Sequence, residues 1–188
     1  MLNDEERNQK KESLIEKSFE LFVKQGLENT SINDLSKYCG TYKAAFYNYF
    51  KSKDEIVIEC AKAYMQSLNG KIKELFHTPS KNIIEALQKG IEFISGERSK
   101  LRYIYQVISS PKYGAESREE LSKIYMVYFD YSQKISETYD VEHDKFRPYF
   151  LLYMATIHDY CLWENTELVA EKLDFIYSSL KKIIKSEE

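Results

Sequence analysis

The fold is decided by residues 26–57, which read GLENTSINDLSKYCGTYKAAFYNYFKSKDEIV. Ser31 suits the N-cap of a short helix that ends at residues 38–40, and Asp34 follows it at the spacing of an approximate capping box. The next predicted helix runs from about residue 42 to 49. Two short helices separated by about four residues are typical of a helix-turn-helix. The segment therefore predicts that motif.

Helical periodicity continues on both sides of this segment. A first helix is expected over residues 6–25, followed by Gly26 at the position of a left-handed C-cap. A fourth helix is expected over residues 52–76, where Ser-Lys-Asp-Glu forms a capping box and Gly70 marks a kink or an early end. Five further helices are expected near residues 83–94, 101–108, 121–139, 144–164 and 167–185. Since no stretch shows sustained strand alternation, the chain is predicted to be all-α with about nine helices.

The composition excludes several classes of protein. With 188 residues, a net charge of −3, 43% hydrophobic and 30% charged residues, the chain is not a disordered segment. Its three cysteines (Cys39, Cys60 and Cys161) are too scattered for a disulfide framework or a zinc site. No apolar run approaches the ~20 residues of a membrane span. The start, MLNDEERNQKKES, is too charged for a signal peptide, so a reduced, cytosolic protein is expected.

The third predicted helix has an unusual surface. At about 100° per residue, Phe46 and Phe50 point toward the first two helices, whereas Ala44, Ala45 and Asn48 point the opposite way. A solvated helix usually carries Glu and Lys on its outer face. Two alanines permit close approach to a major groove, and Asn bonds adenine bidentately.

Residues beside that face and the local charge agree with this interpretation. Lys43 and Tyr47 flank the face on one side and Tyr49 on the other, where they can reach phosphates. Between residues 30 and 53 there are four lysines and one aspartate, a local charge of +3 in a chain of net −3. A groove-facing patch needs only this local excess of positive charge.

These residues resemble a known family. Residues 26–57 resemble the N-terminal domain of the TetR family (TetR/AcrR-like) of bacterial transcriptional regulators, whose pattern combines caps, core positions and phosphate contacts. The matching positions are Gly26, Thr30, Ser31, Ile32, Asp34, Leu35, Gly40, Tyr47, Tyr49, Phe50, Ser52, Lys53, Asp54 and Ile56. The rest of the chain resembles the family in size, helix number and a long final helix pair.

Four positions depart from the family pattern, of which Ser36, at the place of the usual small residue in the second helix, is a mild change. Tyr42 replaces the usual Ser before the recognition helix, so either Thr41 caps that helix or its start is frayed. Cys39 replaces the usual Ala before the turn glycine and is expected to pack as a small buried thiol. Ala44 replaces the usual Gly, which loosens the approach of the backbone to DNA.

The resemblance implies a set of contacts to double-stranded DNA. Phosphates are to be held by Thr30, Ser31, Tyr47, Tyr49 and Lys53, the first two from a helix N-terminus that suits an anion. Base edges are to be faced by Lys43, Ala44 and Asn48. Thr41 and Tyr42, at the start of the recognition helix, complete the predicted DNA-binding set. Tyr38 is interpreted as an ordinary core or surface aromatic.

The resemblance also implies a division into domains. A helix-turn-helix DNA-binding domain is expected over residues 7–52, and a ligand-binding and dimerisation domain over residues 53–188. The fourth helix, up to residue 76, connects them. The expected protein is a bacterial, cytoplasmic regulator that is nucleoid-associated when bound to DNA.

The predicted eighth helix, KFRPYFLLYMATIHDYCLW, is apolar on nearly every face. Such a helix must be buried on all sides, so one side is expected to meet another subunit. The ninth helix has an apolar face and exposed lysines, namely Lys172, Lys181, Lys182 and Lys185. The resemblance implies that these two helices form a four-helix bundle with a second copy. A homodimer has the two-fold symmetry that a palindromic operator needs.

A ligand cavity is expected among the fourth to eighth helices. Its predicted lining is Tyr64, Tyr103, Gln106, Tyr125, Tyr128, Phe129, Tyr153 and His158. Many tyrosines and few charges suggest a small aromatic or lipophilic effector. By resemblance, that effector releases a repressor from its operator.

Catalysis has little support in the sequence. The histidines His77, His143 and His158 lie far apart, and no glycine-rich phosphate loop is present. Glu74 and His77 match the Glu-x-x-His of di-iron bundles, but such a site needs a second copy of the motif. His158 and Asp159 can form a ligand-binding or proton-linked pair, but a satisfied core histidine is the favoured interpretation of His158. No enzyme activity, metal or cofactor is therefore predicted, and the alternative is an all-helical small-molecule-binding or di-iron protein without DNA binding.

Overall fold

The computed structural model describes residues 3–75, 77, 79–163 and 165–185, except for the side chains of residues 116, 120, 124, 125, 127–129 and 185. In this part of the chain all the regular secondary structure is α-helical. The helices are α1 (Asp4–Gln25), α2 (Ile32–Tyr38), α3 (Lys43–Phe46), α4 (Lys53–Leu75), α5 (Ile83–Ser109), α6 (Gly114–Thr138), α7 (His143–Trp163) and α8 (Thr166–Lys185). The all-α prediction is confirmed. None of these helices has an apolar stretch long enough to cross a membrane.

Several predicted helix boundaries differ from those observed. The predicted fifth and sixth helices are one continuous helix, α5, because the polar residues 95–100 between them stay helical. Glu97 of this stretch forms ion pairs with Lys71 and Lys100 at 3.0 and 3.1 Å. Helix α4 continues through Gly70 without an early end, since one glycine costs a helix only about 1 kcal/mol.

Both ends of α1 are fixed by local hydrogen bonds. Asn3 Oδ1 accepts a hydrogen bond from Glu6 N at 2.7 Å, and the Glu6 carboxylate accepts one from Asn3 N at 2.9 Å. This capping box starts the helix two residues earlier than predicted. At the other end Gly26 has φ 87° and ψ 153°, so the expected positive φ is present but the backbone is not in the helical left-handed region.

The first compact unit comprises residues 3–68 and 103–122. In this unit α1 packs against α2, and α2 packs against α3. Its core contains large side chains that are at most 2% exposed, among them Leu14, Phe22, Leu35, Phe46 and Phe50. Burying a side chain of this size stabilises the fold by about 1.5–3 kcal/mol. This core therefore determines which face of α3 is turned outward.

The second compact unit comprises residues 69–102 and 123–185 as far as they are described. Helices α7 and α8 pack against each other, burying Phe150, Tyr153, Ile157, Val169, Ile176 and Leu180. Lys172 donates a hydrogen bond to Asp159 across this contact. The predicted position of Lys172 outside the contact is therefore wrong, because its ammonium group bonds the carboxylate of the neighbouring helix.

Part of the α7–α8 surface stays uncovered in the single chain. Trp163 is 73% exposed and Phe175 is 57% exposed, and Leu151 and Leu168 are also exposed. The expectation that α7 is buried on all sides is thus not met within one chain. We call these four residues the apolar patch.

Candidate nucleic-acid interface

The start of α2 is fixed by a capping box, as predicted. Ser31 Oγ accepts a hydrogen bond from Asp34 N at 3.2 Å, and the Asp34 carboxylate accepts one from Ser31 N at 2.9 Å. The Ser31 hydroxyl also donates to this carboxylate, and these bonds hold the pKa of Asp34 below its usual value. Ser31 itself is exposed. The N-terminus of α2 is therefore rigid and accessible.

The turn after α2 leads into residues 42–50, which we call the recognition segment. Gly40 has a φ of 66°, a conformation that suits glycine. The next amide, Thr41 N, donates to Ser36 O at 2.9 Å. Tyr42 is the N-cap residue of α3, and its side chain makes no capping hydrogen bond. The helix thus starts without a side-chain cap.

The recognition segment is wound more tightly than predicted. Helix α3 covers only Lys43–Phe46, whereas a helix from about 42 to 49 was expected. Beyond it, Asn48 N donates to Ala45 O at 3.2 Å and Tyr49 N to Phe46 O at 3.1 Å, which are i to i−3 bonds. Such bonds are common where a helix tightens at its end. The backbone therefore keeps turning to the end of the segment.

The two faces of the recognition segment are oriented as predicted. Phe46 and Phe50 are each 1% exposed, with ring centroids 5.3 Å apart. On the opposite side Ala44 and Asn48 are exposed and Ala45 is partly exposed. The buried phenylalanine rings anchor the segment, so its small side chains and its asparagine face solvent.

The other predicted DNA-binding side chains of the segment are accessible. Tyr42 is 82% exposed and Tyr47 is 48% exposed, while Lys43 is exposed and Tyr49 partly so. Tyr38, outside the segment, is a surface aromatic whose hydroxyl donates to Glu20 Oε2 at 3.1 Å. Exposed tyrosine side chains suit a surface that contacts phosphates and sugars, because their hydroxyls can form hydrogen bonds there.

Two predicted phosphate contacts have protein partners. Thr30 is 1% exposed and its hydroxyl donates to Gly26 O at 2.8 Å, so its side chain is not on the surface. This corrects the prediction for Thr30. Lys53 Nζ donates to Leu27 O, which ties the start of α4 to the loop between α1 and α2. A lysine has three N–H donors, so this bond leaves the ammonium group able to bind a phosphate.

Three further contacts are made at the start of α4. Ser52 Oγ accepts a hydrogen bond from Glu55 N at 3.2 Å, as predicted, but the Glu55 carboxylate bonds Lys51 N instead of the Ser52 amide. Asp54 forms an ion pair with Lys112 at 2.7 Å. That pair neutralises an acid beside the candidate interface, and no pattern in the sequence indicates so distant a partner.

Sequence reasoning also missed Arg7. Its Nη2 donates to the backbone carbonyl of Asn48 at 3.3 Å, so a guanidinium lies beside the end of the recognition segment. Nothing in the local sequence indicates this contact, because it joins residues 41 positions apart.

The predicted ligand-pocket residues of the first unit lie in different environments. Tyr64 stacks on Phe19 with ring centroids 4.9 Å apart, and Tyr103 meets the same ring edge-on at 5.1 Å. Tyr103 also donates from its hydroxyl to Val57 O at 2.8 Å, and burial raises its pKa well above the usual value. Gln106 is exposed. The two tyrosines are thus part of a packed aromatic core.

In the second unit, Tyr153 is buried and its hydroxyl donates to Leu87 O at 2.7 Å. His158 has a side chain that is 49% exposed and lies 3.8 Å from the Asp159 carboxylate. The interpretation of His158 as a core histidine is therefore wrong, because the side chain points away from the packed face of α7. The side chains of Tyr125, Tyr128 and Phe129 lie outside the described residues.

A pocket of about 510 Å³ in the second unit has a different, polar lining. Its lining residues are Gln133, Ser136, Glu137, Asp140, Val141, Glu142 and His143. None of the predicted ligand-binding residues is among them. An aromatic pocket remains a prediction.

The Glu-x-x-His pair is at the end of α4. Glu74 and His77 are both exposed. His143, in contrast, is hydrogen-bonded through Nε2 to Ser132 Oγ at 3.1 Å. Within the ranges that the structure describes, no three His, Cys, Asp or Glu side chains are grouped as metal ligands.

Comparison with known proteins bears on the first unit. Residues 14–60, which include α2, α3 and the start of α4, match the family described as bacterial regulatory proteins, tetR family. We call residues 14–60 the tetR-family segment, because they are similar to this family. The predicted resemblance is confirmed, and the exposed face of Ala44 and Asn48 lies within this segment.

Curated relatives of the tetR-family segment are named as transcriptional regulators. The uncharacterized HTH-type transcriptional regulator YerO of Bacillus subtilis is 34% identical over 90 residues, 46% of this chain and 31% of YerO. The HTH-type transcriptional repressor KstR2 of Rhodococcus jostii is 30% identical over 69 residues, 36% of this chain and 34% of KstR2. The chain thus spans about a third of the length of these two relatives.

Two solved structures share the fold over most of the chain. E. coli NemR in its reduced form has a TM-score of 0.67 at 13% identity, covering 89% of this chain and 95% of NemR. FadR of Bacillus subtilis, solved in complex with stearoyl-CoA, has a TM-score of 0.60 at 17% identity, covering 91% of this chain and 96% of FadR. At these identities the likeness concerns the fold alone.

Proposed function

We propose that the protein is a transcriptional regulator that inserts its recognition segment into the major groove of DNA. The observation that carries this proposal is the exposed face of Ala44 and Asn48 opposite the buried rings of Phe46 and Phe50, within a tetR-family segment. Small side chains let the segment approach base edges, and an asparagine can bond adenine bidentately.

The proposed contact surface consists of the predicted residues that are exposed or partly exposed. They are Ser31, Thr41, Tyr42, Lys43, Ala44, Tyr47, Asn48, Tyr49 and Lys53. Thr30 is left out because its hydroxyl bonds Gly26 O inside the protein. Hydroxyls and lysines around the central face fix the register on the phosphates, while Asn48 reads a base.

The proposed functional unit is a homodimer formed through α7 and α8. The apolar patch supports this proposal, because covering its large side chains with a second copy removes apolar surface from water and lowers the free energy. A two-fold dimer reads a palindromic operator with half-sites one helical repeat apart. The proposed domains are residues 7–52 for DNA binding and 53–188 for dimerisation and ligand binding, with α4 connecting them.

The proposed regulator is a cytoplasmic repressor released by a small aromatic or lipophilic effector. KstR2 is named as a repressor, and FadR was solved with stearoyl-CoA, a lipophilic ligand. Because Tyr64 and Tyr103 pack in an aromatic core and the Tyr153 hydroxyl bonds Leu87 O, the lining residues stay a prediction for this effector. It must bind the DNA-released state more tightly than the DNA-bound state, because otherwise it shifts no population.

DNA binding is tested by recovering genomic fragments with the purified full chain and measuring fluorescence anisotropy on the enriched duplex. We expect affinity that falls steeply with salt, as phosphate contacts require. Lys53→Ala should weaken binding, whereas Tyr38→Phe, a change at an exposed tyrosine outside the recognition segment, should not. DNA affinity that is insensitive to salt and to Lys53→Ala would refute the proposal, and stoichiometric iron would favour the di-iron alternative.

The dimer is tested by analytical ultracentrifugation of the full chain without DNA. Phe175→Glu places a charge in the apolar patch and should raise the dimer dissociation constant at least about ten-fold. Tyr42→Glu places the same charge at an exposed position in the first unit and serves as the control. Equal dissociation constants for the two variants would contradict the proposed interface.

The effector is tested with stearoyl-CoA and with palmitate as probes. Release of the enriched duplex by either probe, with a rise in the thermal unfolding midpoint, is the expected result. Release by neither, but by an aromatic compound from a screen, would place the effector in the aromatic class. A screen in which nothing releases the duplex would contradict ligand control.

A further inference from the structure

Arg7 joins the N-terminal part of α1 to the end of the recognition segment. Its Nη2 donates to the carbonyl of Asn48 at 3.3 Å, and the residue is exposed. Asn48 lies just beyond the end of α3, and arginine side chains commonly bond the last carbonyl groups at a helix C-terminus. The bond therefore holds a guanidinium beside the residue that is proposed to read a base.

A second contact keeps this face of α1 against the segment. Lys11 follows Arg7 by four residues and so lies on the same face of the helix. Its Nζ is 5.7 Å from the centre of the Phe50 ring, and it also pairs with Glu59 at 3.8 Å. The position of Arg7 thus depends on the contacts of Lys11 on the same face of α1, and not only on the hydrogen bond of Arg7 itself.

The chemistry of Arg7 suits a polyanion. A guanidinium has five N–H donors in a planar fork, and the bond to Asn48 O uses one of them. The remaining donors match the oxygens of a phosphate. Because the side chain is already held by a carbonyl, it loses less freedom when a phosphate arrives.

We infer that Arg7 is a further DNA-contacting residue, which binds a backbone phosphate next to the base faced by Asn48. The inference rests on the proposed DNA-binding function. It extends the contact surface to a helical turn that precedes the tetR-family segment of residues 14–60. Sequence specificity should not depend on Arg7, since phosphates carry no sequence information directly.

The test compares full-length Arg7→Ala, Arg7→Lys and Lys24→Ala by fluorescence anisotropy across a salt series. The two duplexes are the enriched genomic fragment and a scrambled fragment of equal length. Arg7→Ala should weaken binding to both about five-fold and lower the salt slope by about 1.8, twice the value for one phosphate contact, because the proposed dimer carries two copies of Arg7. Lys24→Ala makes the same charge change about 25 Å along α1 and should match the wild type.

The outcomes separate this inference from the proposed function. If the wild-type chain shows no salt-dependent binding to either duplex, the proposed function is refuted. The inference about Arg7 is then refuted as well, since it rests on that function. A wild-type chain that binds, with an unchanged salt slope in Arg7→Ala, overturns only the role of Arg7. Arg7→Lys keeps the charge and loses the fork, so it should keep the salt slope with about a two-fold loss of affinity. That variant decides the question if Arg7→Ala does not fold.

Discussion

The recognition segment and helix α7 are both rich in aromatic residues, but the two regions expose different aromatic groups. In the recognition segment the phenylalanines are buried and the hydroxyls of Tyr42 and Tyr47 are accessible. In α7 the hydroxyl of Tyr153 is buried on Leu87 O, while Trp163 is exposed.

This difference indicates what each surface can bind. A surface of small side chains and tyrosine hydroxyls keeps its polar groups available, so it suits a charged, hydrogen-bonding partner such as DNA. A surface that has its hydroxyls satisfied internally and its apolar groups outside suits another apolar surface. Aromatic content alone does not distinguish the two, because the distinction lies in which atoms are exposed.

The largest expected effect that tests this comparison concerns two neighbours in the recognition segment. Phe46→Ala should lower the free energy of unfolding by about 3–5 kcal/mol, because it empties a core position. Tyr47→Ala should change it by less than about 0.5 kcal/mol, because its side chain is on the surface. Urea unfolding followed by circular dichroism measures both. Similar losses for the two variants would show that the segment is oriented differently.

Asn48→Ala should have the next largest effect, on specificity. If Asn48 reads a base, the variant loses about 1–3 kcal/mol of preference at one base pair of each half-site and none elsewhere. Tyr47→Ala, the control, should weaken binding to all sequences alike, as expected for a phosphate contact. Binding to a library of operator variants measures both preferences. An unchanged preference in Asn48→Ala would remove its role in base reading.

A smaller effect distinguishes the two kinds of tyrosine. Tyr153→Phe removes the hydrogen bond to Leu87 O and should lower the free energy of unfolding by about 0.5–1.5 kcal/mol. Tyr47→Phe should leave stability unchanged and weaken DNA binding, since its hydroxyl is available to a phosphate. Chemical denaturation and DNA anisotropy on both variants check this. The comparison fails if Tyr153→Phe is as stable as the wild type.

The smallest expected effect is on two carboxylates, one in each unit. The pKa of Asp34 is lowered by hydrogen bonds from Ser31, and that of Asp159 by the hydrogen bond from Lys172. A lowered folded pKa means that each group contributes stability above its unfolded pKa of about 3.9, and that the contribution disappears as the pH falls through the folded value.

Titration by NMR should therefore give both carboxyls a pKa below about 3.9. At about 1 M salt the pKa of Asp159 should rise more than that of Asp34, because salt screens its ion pair with Lys172. Ser31→Ala should return the pKa of Asp34 toward its ordinary value. An Asp34 pKa that is unchanged in Ser31→Ala would contradict the capping box as its cause.

The helix-turn-helix could be predicted because its determinants are local. Ser31 and Asp34 cap a helix three residues apart, Gly40 takes the positive φ of the turn, and the spacing of Phe46 and Phe50 identifies the buried side. Each of these signals lies within one or two helical turns. The orientation of the recognition segment therefore follows from the sequence.

The contacts that adjust this site could not be predicted, because they join distant residues. Lys53 bonds Leu27 O, Lys112 pairs with Asp54, and Arg7 bonds Asn48 O across 26 to 58 positions of sequence. The burial of Thr30 was missed for a different reason. A threonine hydroxyl can face solvent or bond a carbonyl four residues back, and the family pattern is the same in both cases.

The second unit was harder to interpret because helical periodicity does not identify what covers each face. His158 comes directly after the buried residue Ile157 of α7, yet its side chain is half exposed. Tyr153 donates a hydrogen bond from its hydroxyl to a backbone carbonyl of α5. The environment of such residues depends on how helices far apart in sequence pack. For that reason the sequence predicts the helices of this unit, but not which of their side chains are buried or line a pocket.

The position of Trp163 makes its intrinsic fluorescence sensitive to whether the apolar patch is covered. It is the single tryptophan of the chain, and it stands in the apolar patch with most of its indole in water. Transfer of an indole from water to an apolar contact shifts its fluorescence to shorter wavelength. If the proposed homodimer covers this patch, dilution of the unlabelled protein should reveal subunit dissociation as a red shift, without a dye, a tag or an engineered residue.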